Sequence, residues 1–361
     1  MTGVGGTLCY RAMTGTISDA MSDVFVTRRI PDEGLALLVG GGASIAIGQE
    51  DEQSGLDRAI LLAGARGARV LLPLVTECID REVLEQNPRL RGVANHGVGF
   101  DNVDVAAATE LGIPVSNTPG VLTEATADLT WALLLAVARR IPEADAFMRA
   151  GRFKIWGPTM LLGADVGPGP DGRRKVLGIV GFGHIGREVA RRAAGFNMDV
   201  VAHDPKPEVV EAAGARWLEL DALLEHADFV CLHPRLAPET RHLIDEARLR
   251  RMKPTAYLIN VARGEVVDEG ALVRALREGW IAGAALDVYE REPATAPGLA
   301  ELTNVVIVPH IGSATHETRA RMATVAATNA LHHLRGERAP QCVNPAVYET
   351  AAWRRRMAAD G

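Results

Sequence analysis

The sequence predicts an α/β protein built from two doubly wound, mostly parallel sheets. Three observations carry that reading. Short apolar runs alternate with helix-patterned segments from Val24 onward, as parallel βαβ units require. The alternation stops once, at the turn residues Asn117-Thr118-Pro119-Gly120, and a second series begins at Lys175. A chain of 361 residues is also long for one hydrophobic core.

Five apolar runs make the strands of the first, smaller domain: Val24–Thr27, Ile45–Ile47, Val70–Val75, Arg91–Ala94 and Pro114–Ser116. The second is weakly marked, because Gly40, Gly41 and Gly42 break the pattern before it. Val105–Leu111 reads clearly as a helix between strands. After Gly120 a long helix follows, capped by Thr123 and apolar on nearly every side from Leu129 to Val137, so it is expected to be buried within the subunit or against a partner. Gly163–Arg174 reads as a loop. Seven further strands are expected at Val176–Val180, Asp199–Ala202, Ala215–Leu218, Phe229–Leu232, Ala256–Val261, Ala282–Asp287 and Val305–Val308. A last helix, Thr315–Leu334, can return to the first domain. The expected division is therefore a mobile extension over 1–20, one domain from 21–120 with 315–361, and a second over 121–314. Hinges are expected near Gly120 and Gly312.

The bulk properties exclude several function classes. The formal net charge is −6 with 47% hydrophobic and 23% charged residues, and both charge signs are interspersed, which supports no nucleic-acid partner. No apolar run has the length of a transmembrane helix, and the Gly- and Thr-rich first twenty residues do not read as a signal peptide. The cysteines, Cys9, Cys78, Cys231 and Cys342, are scattered without metal-ligand spacing. Reduced thiols in a cytoplasmic protein are the expectation, with neither disulfides nor a metal.

Gly181-Phe182-Gly183-His184-Ile185-Gly186 fits G-x-G-x-x-G, a weak signal alone. Its context raises it: the motif follows the strand Val176–Val180, opens a helix, and the next strand runs into Asp204, eighteen residues past the last glycine. Gly181 permits the tight turn, Gly183 lets backbone approach a pyrophosphate, and Gly186 lets helix pack on strand. The helix N-terminus then offers free N–H groups to the phosphates. Asp204 would accept from the adenosine ribose diol and repel a 2′-phosphate, so NAD(H) is expected as cofactor, with NADPH use left open by nearby Lys206.

Three further stretches lie at strand carboxyl ends, where ligands bind in open α/β sheets: Asn260-Val-Ala-Arg263-Gly264, Asp287-Val-Tyr-Glu-Arg-Glu292-Pro293 and Pro309-His310-Ile-Gly312. Arg263 offers a planar fork for a carboxylate or keto oxygen. His310 can pass a proton to that oxygen as hydride reaches carbon. Glu292, bonded to the other ring nitrogen, would fix the tautomer and keep the ring charged for reduction. Singly, each has an ordinary explanation: a surface arginine at a helix entry, a solvated carboxylate before proline, a core histidine. At three successive strand ends the joint reading is an oxidoreductase site.

These motifs resemble the D-isomer-specific 2-hydroxyacid dehydrogenase family. The likeness runs from about Asp23 to Pro345 and includes Asn95-His-Gly-Val-Gly99-Phe-Asp101-Asn-Val-Asp104, Asn117-Thr-Pro-Gly120, the glycine loop, Leu232-His233-Pro234 with Glu239-Thr240, Arg263-Gly264 with Val267-Asp268, Leu286-Asp-Val, Glu292-Pro293 and Pro309-His310-Ile-Gly312. It implies a Rossmann domain that binds NAD and a smaller flavodoxin-like substrate domain built from both chain ends. Arg263, Glu292 and His310 are implied as the catalytic set, with Arg263 and His310 also touching substrate. Amides of Val98 and Gly99 are implied to hold the substrate carboxylate. Cofactor contacts are implied at Gly181, Phe182, Gly183, His184, Ile185, Gly186, Asp204, His233, Pro234, Thr240, Val261, Ala262, Asp287 and Gly312. Asp287 would lie near the nicotinamide carboxamide, and the helix after Gly120 would build a homodimer.

Within the family, Val121-Leu-Thr-Glu-Ala-Thr-Ala-Asp128, Ala138-Arg-Arg and Gly279-Trp-Ile-Ala-Gly283 resemble the glyoxylate/hydroxypyruvate reductase branch. Leu71-Leu-Pro-Leu-Val75 is apolar and position 96 is His, with no cation in evidence for a substrate phosphate, so a small 2-oxo acid is expected. Phe153 and Trp156 are read as core or dimer packing rather than as parts of a neighbour's pocket. The alternatives are a D-lactate or D-3-phosphoglycerate dehydrogenase of the same family and a NAD-sensing, corepressor-like binding protein. A formate dehydrogenase-like activity would carry Gln in place of Glu292.

Overall fold

The computed structural model describes residues 11–12, 22–51 and 54–358. By internal contacts the chain divides into two compact units, one holding the described residues up to Leu122 together with those from Thr315 on, the other Thr123–Ala314. The extension expected over 1–20 lies outside the described residues, except for Arg11 and Ala12.

In the first unit the strands are β1 (Arg11–Ala12), β2 (Ser22–Val26), β3 (Ile45–Ile47), β4 (Ala68–Leu72), β5 (Gly92–Ala94) and β6 (Val115–Ser116). They pair in parallel in the order β1-β3-β2-β4-β5-β6. Without β1 this is the 2-1-3-4-5 order of a flavodoxin-like sheet, with its switch point between β2 and β4. Two-sided burial explains the continuous apolar runs Val24-Phe25-Val26 and Val70-Leu71-Leu72, all fully buried. The helix Asp32–Gly40 packs on the helix His316–Leu334 so closely that a Cβ on Gly34 would lie 2.8 Å from Ala323. Ala323, Ala326, Ala327 and Ala330 carry that second helix onto β4 and β5. His333, near its end, is buried and meets Ser116 Oγ through Nε2 at 2.9 Å. The segment after Thr315 is thus part of this unit's core.

In the second unit the strands are β7 (Val176–Val180), β8 (Asp199–His203), β9 (Arg216–Trp217), β10 (Phe229–Leu232), β11 (Tyr257–Asn260), β12 (Gly283–Leu286) and β13 (Val305–Ile307). All are parallel, in the order β13-β12-β11-β10-β7-β8-β9. The order reverses between β7 and β10, and that switch point sets where a ligand can bind. The helix Thr123–Ala138 packs against β11, β12 and β13 and the helix His184–Ala193. Its Trp131 stacks on Phe196 with ring centroids 4.4 Å apart and donates from Nε1 to Val189 O at 3.1 Å. The all-round apolar character read from the sequence is therefore largely spent inside the unit. The strand predicted over Ala215–Leu218 shrinks to two residues because it is the sheet edge, where one ladder of hydrogen bonds is missing.

Three histidines are held as neutral rings, His96 and His333 buried whole and His233 with both ring nitrogens shut off from solvent. Burial, with some help from Arg319, pushes His96 down to about 4. Burial pushes His233 down to about 3 and, with His332, His333 down to about 3. Their ordinary value is 6.5. Because the folded values are depressed, the unfolded chain takes up protons that the fold refuses. The stabilisation is present above pH 6.5 and is lost as pH falls toward 4. Each ring should cost up to about 1.4 kcal/mol per pH unit in that window. The urea midpoint should therefore be lower at pH 5 than at pH 7, and His333→Asn should reduce the difference. Equal midpoints at both pH values in the parent protein would show that the rings titrate freely in the fold.

Candidate active site

The loop after β7 makes the tightest turn in the second unit. Gly181 has φ +87°, and a Cβ there would sit 2.6 Å from the His233–Pro234 peptide, so the ends of β7 and β10 touch across the switch point. Gly183 precedes the helix His184–Ala193 and has nothing within 4 Å of where its Cβ would be, which leaves room in front of the free helix N–H groups. Gly186 lies under the turn, where a Cβ would meet Gly181 O at 2.3 Å. Turn, open approach and close packing are thus divided among the three glycines, and the cradle fits a dinucleotide pyrophosphate.

Asp204, just past β8, spans back to this loop. Its Oδ2 accepts from Phe182 N–H at 2.9 Å and its Oδ1 from Lys206 N–H at 3.0 Å. Phe182 places its ring in the core, so only its backbone faces the loop. His184 is exposed at the start of the helix, while Ile185 packs partly on the core. His233, half-buried with Pro234 after β10, leaves both ring nitrogens buried without a partner among the described residues, a neutral polar ring beside the glycine turn. Thr240 uses its hydroxyl to close its own turn, accepting from Ala237 N–H at 2.8 Å and donating to Arg235 O at 2.7 Å.

The loop after β11 carries Val261, Ala262 and Arg263. Asn260 holds it from below: its Oδ1 accepts from Ala262 N–H at 3.0 Å and its Nδ2 donates to Arg263 O at 2.9 Å. A Cβ on Gly264 would lie 1.9 Å from the Tyr289 carbonyl carbon, so only glycine lets this loop abut the one after β12. That second loop carries Glu292, whose Oε1 accepts from Tyr289 N–H at 3.1 Å. Its Oε2 meets His310 Nδ1 at 2.9 Å. Burial pushes the Glu292 carboxyl up, but the bond and charge of His310, the Tyr289 amide and the charge of Arg263 outweigh it and leave the group below its ordinary value. Arg263, Glu292 and His310 are therefore one electrostatic cluster within the second unit. His310, following β13, has φ +52°. Asp287 holds that bend, its backbone O accepting from His310 N–H at 2.9 Å, Oδ1 from Ile311 N–H at 2.6 Å and Oδ2 from Gly312 N–H at 2.8 Å. Burial raises the Asp287 pKa despite these donors.

Val98 and Gly99 lie in the first unit, in the loop after β5. Their carbonyls accept from Asn117 Nδ2 and Asn95 Nδ2, each at 2.8 Å. Among the described residues nothing accepts from either of their amide N–H groups, so two fixed donors are left for an anion. His96 beside them is buried and neutral. The absence of a nearby cation, read from the sequence, needs correction: the helix His316–Leu334 brings Arg319 close enough for its charge to act on His96.

Asn260, Asn95 and Asn117 stand within the sequence motifs, and their clamping role emerges only from the fold. A buried Asn at a strand's carboxyl end was the available signal, since its amide can fasten a turn that leaves the sheet. The described residues contain no cluster suited to a metal ion and no helix long and apolar enough to cross a membrane. Cys78, Cys231 and Cys342 are free thiols.

Residues 131–312 match the D-isomer specific 2-hydroxyacid dehydrogenase, NAD binding domain, family. The chain is 48% identical over 330 residues to a glyoxylate reductase of Thermococcus litoralis, covering 90% of this chain and 97% of that one. It is 47% identical over 328 residues to a glyoxylate reductase of Korarchaeum cryptofilum, covering 90% and 96%. A crystal structure of a protein from Thermus thermophilus superposes with a TM-score of 0.81 at 46% identity, covering 89% of this chain and 99% of that one. An NADPH-dependent glyoxylate/hydroxypyruvate reductase of Sinorhizobium meliloti gives 0.78 at 30% identity, covering 90% and 98%. The glycine cradle at a parallel switch point and this likeness over nine-tenths of the chain lead to one conclusion: the protein belongs to the D-isomer specific 2-hydroxyacid dehydrogenase family and carries its NAD-binding domain.

Proposed function

We propose that the protein reduces glyoxylate or hydroxypyruvate to the D-2-hydroxy acid, with His310 and Glu292 as the acid-base pair and Arg263 holding the substrate. The carrying observation is the 2.9 Å contact of Glu292 with His310, within reach of the charge of Arg263. The names of the similar proteins support the substrate class.

NADH, when bound on the glycine cradle, supplies the hydride. With Nδ1 directed at Glu292, the imidazolium carries its transferable proton on Nε2 and delivers it to the keto oxygen as that oxygen gains charge. Glu292 stabilises the charged ring and fixes which nitrogen faces the substrate. The Arg263 fork polarises the carbonyl and fixes its orientation. The unpartnered amides of Val98 and Gly99 take the carboxylate. Asp204 has lone pairs left for a ribose diol and a charge that opposes a 2′-phosphate, which supports NADH over NADPH.

The partner is a small acid rather than a nucleic acid, in line with the net charge of −6. A homodimer through the second unit is part of the proposal: the helix Ile141–Arg149 buries none of its residues, and Ile155, Trp156 and Leu162 are 78%, 73% and 63% exposed. The reduced thiols fit a cytoplasmic setting. The decisive assay follows oxidation of NADH and NADPH with glyoxylate, hydroxypyruvate, pyruvate and phosphohydroxypyruvate. Fastest turnover with NADH and either of the first two supports the reading. Preference for pyruvate or the phosphorylated acid would move it to a lactate or phosphoglycerate dehydrogenase, and NADH binding without turnover would make the protein a sensor.

Arg263→Ala should lower kcat/KM for the 2-oxo acid by about a hundredfold or more while leaving NADH affinity near normal; an unchanged rate removes the arginine from the site. The bond to His310 is one cause of the lowered Glu292 carboxyl, and Glu292→Gln removes the charge that faces the ring. The alkaline limb of the pH profile for reduction should then shift to lower pH, and a limb that stays in place would separate the two residues.

A further inference from the structure

The loop that carries Glu292 is fastened by an acid lying outside the site. Glu269 opens the helix Glu269–Glu278, whose N-terminus is already capped by Asp268, which accepts from Ala271 N–H at 2.8 Å. Released from capping, the Glu269 carboxylate reaches the loop after β12. Its Oε2 accepts from Glu290 N–H at 3.0 Å and its Oε1 from Ala296 N–H at 2.7 Å. These amides stand on either side of Glu292. Inside the bracket, Ala294 N–H donates to Arg291 O at 2.8 Å, and the Glu290 side chain is paired with His242.

Glu269 is only 4% exposed. Burying a carboxylate costs desolvation that an apolar side chain of the same volume would not, so its stabilising value is small. What the acid alone supplies is a pair of rigidly spaced acceptors for the two ends of one short loop. We propose that Glu269 is a positioning residue for the Glu292–His310 pair. It holds the loop so that Glu292 keeps Oε1 on Tyr289 N–H while Oε2 reaches His310. A drift of about 1 Å would turn that contact into a separation without a hydrogen bond.

The inference rests on the proposed acid-base role of the pair, and its test keeps the two apart. Glu269→Gln retains volume but turns an NH2 toward one of the two amide donors. In that variant kcat for 2-oxo acid reduction should fall about ten- to a hundredfold, with NADH affinity and KM near the parent values. The alkaline limb should move to lower pH, as in Glu292→Gln, and the double variant should be no slower than Glu292→Gln alone. Independently of turnover, the proton on His310 Nδ1, followed by NMR in the cofactor-free protein, should move upfield and exchange faster in Glu269→Gln than in the parent, because the contact with Glu292 lengthens. A folded Glu269→Gln with the parent's kcat, pH profile and His310 Nδ1 proton resonance overturns the proposal, as do additive losses in the double variant. If Glu269→Gln does not fold, Glu269→Asp, which keeps both oxygens one methylene short, decides by the same pH profile and the same resonance. A parent protein that reduces no 2-oxo acid refutes the proposed function, while the NMR comparison still decides the role of Glu269.

Discussion

Three consecutive backbone amides, those of His310, Ile311 and Gly312, all donate to Asp287. This latch ties the end of β12 to the chain leaving β13, and the geometry of the second unit's site follows from it. To aim three successive N–H groups at one residue the backbone must bend back on itself, and His310 meets that demand with φ +52°. A non-glycine residue there costs on the order of 1 kcal/mol. Gly312 adds a steric condition, since a Cβ would come within 3.0 Å of Asp287 Oδ2. With the bend held, Nδ1 of His310 meets Glu292 Oε2 at 2.9 Å.

The same device recurs at four strand carboxyl ends. A parallel strand ends in backbone groups whose next partners must be found off the sheet, and buried ones have to be satisfied. Asn260 does this after β11, Glu269 after β12, Asp287 after β13, and Asn95 with Asn117 after β5 in the first unit. Each spends a buried polar side chain on backbone between 2 and 27 residues away, and each loop carries a residue with a proposed chemical role. Gly181 and Gly264 complement them by removing side chains where two such loops touch. Precision at the site thus comes from side-chain clamps on backbone rather than from packing of the reactive groups themselves.

How much of this the sequence disclosed follows from the range of each signal. Strands such as Val176–Val180 and Phe229–Leu232 are written in adjacent residues, so their bounds could be read directly. The glycine turn was legible because its βαβ frame is local. The Arg, Glu and His were legible because each sits at a strand end in a recognisable string. Glu269 was not, since its partners lie 21 and 27 residues away and a glutamate at a helix start reads as ordinary helix chemistry. Nor was the proximity of Arg319 to His96, which depends on the helix His316–Leu334 folding back from the far end of the chain. The place of the Phe182 ring was not legible either: the glycine motif marks the residue as a ligand contact, and only the fold shows that its ring fills the core while its backbone lines the loop.

Two carboxylates share the ends of β12 and β13, and their surroundings drive them apart. Asp287 is raised, burial outweighing its amide donors and the charge of His310, with Glu292 adding to the rise. Glu292 is also raised by burial, but His310, the Tyr289 amide and Arg263 reverse the sign. Neighbouring acids pushed in opposite directions take different duties. The group that stays ionised most readily is the one facing His310, so the negative charge of this pair of strand ends sits beside that ring. Asp287, whose oxygens are taken by Ile311 and Gly312, serves the shape of the loop instead. Exchanging the two environments would leave the imidazole opposite the acid less able to hold a charge. The division is therefore set by which carboxylate faces His310 and Arg263, the amide donors at Asp287 being too few to offset its burial.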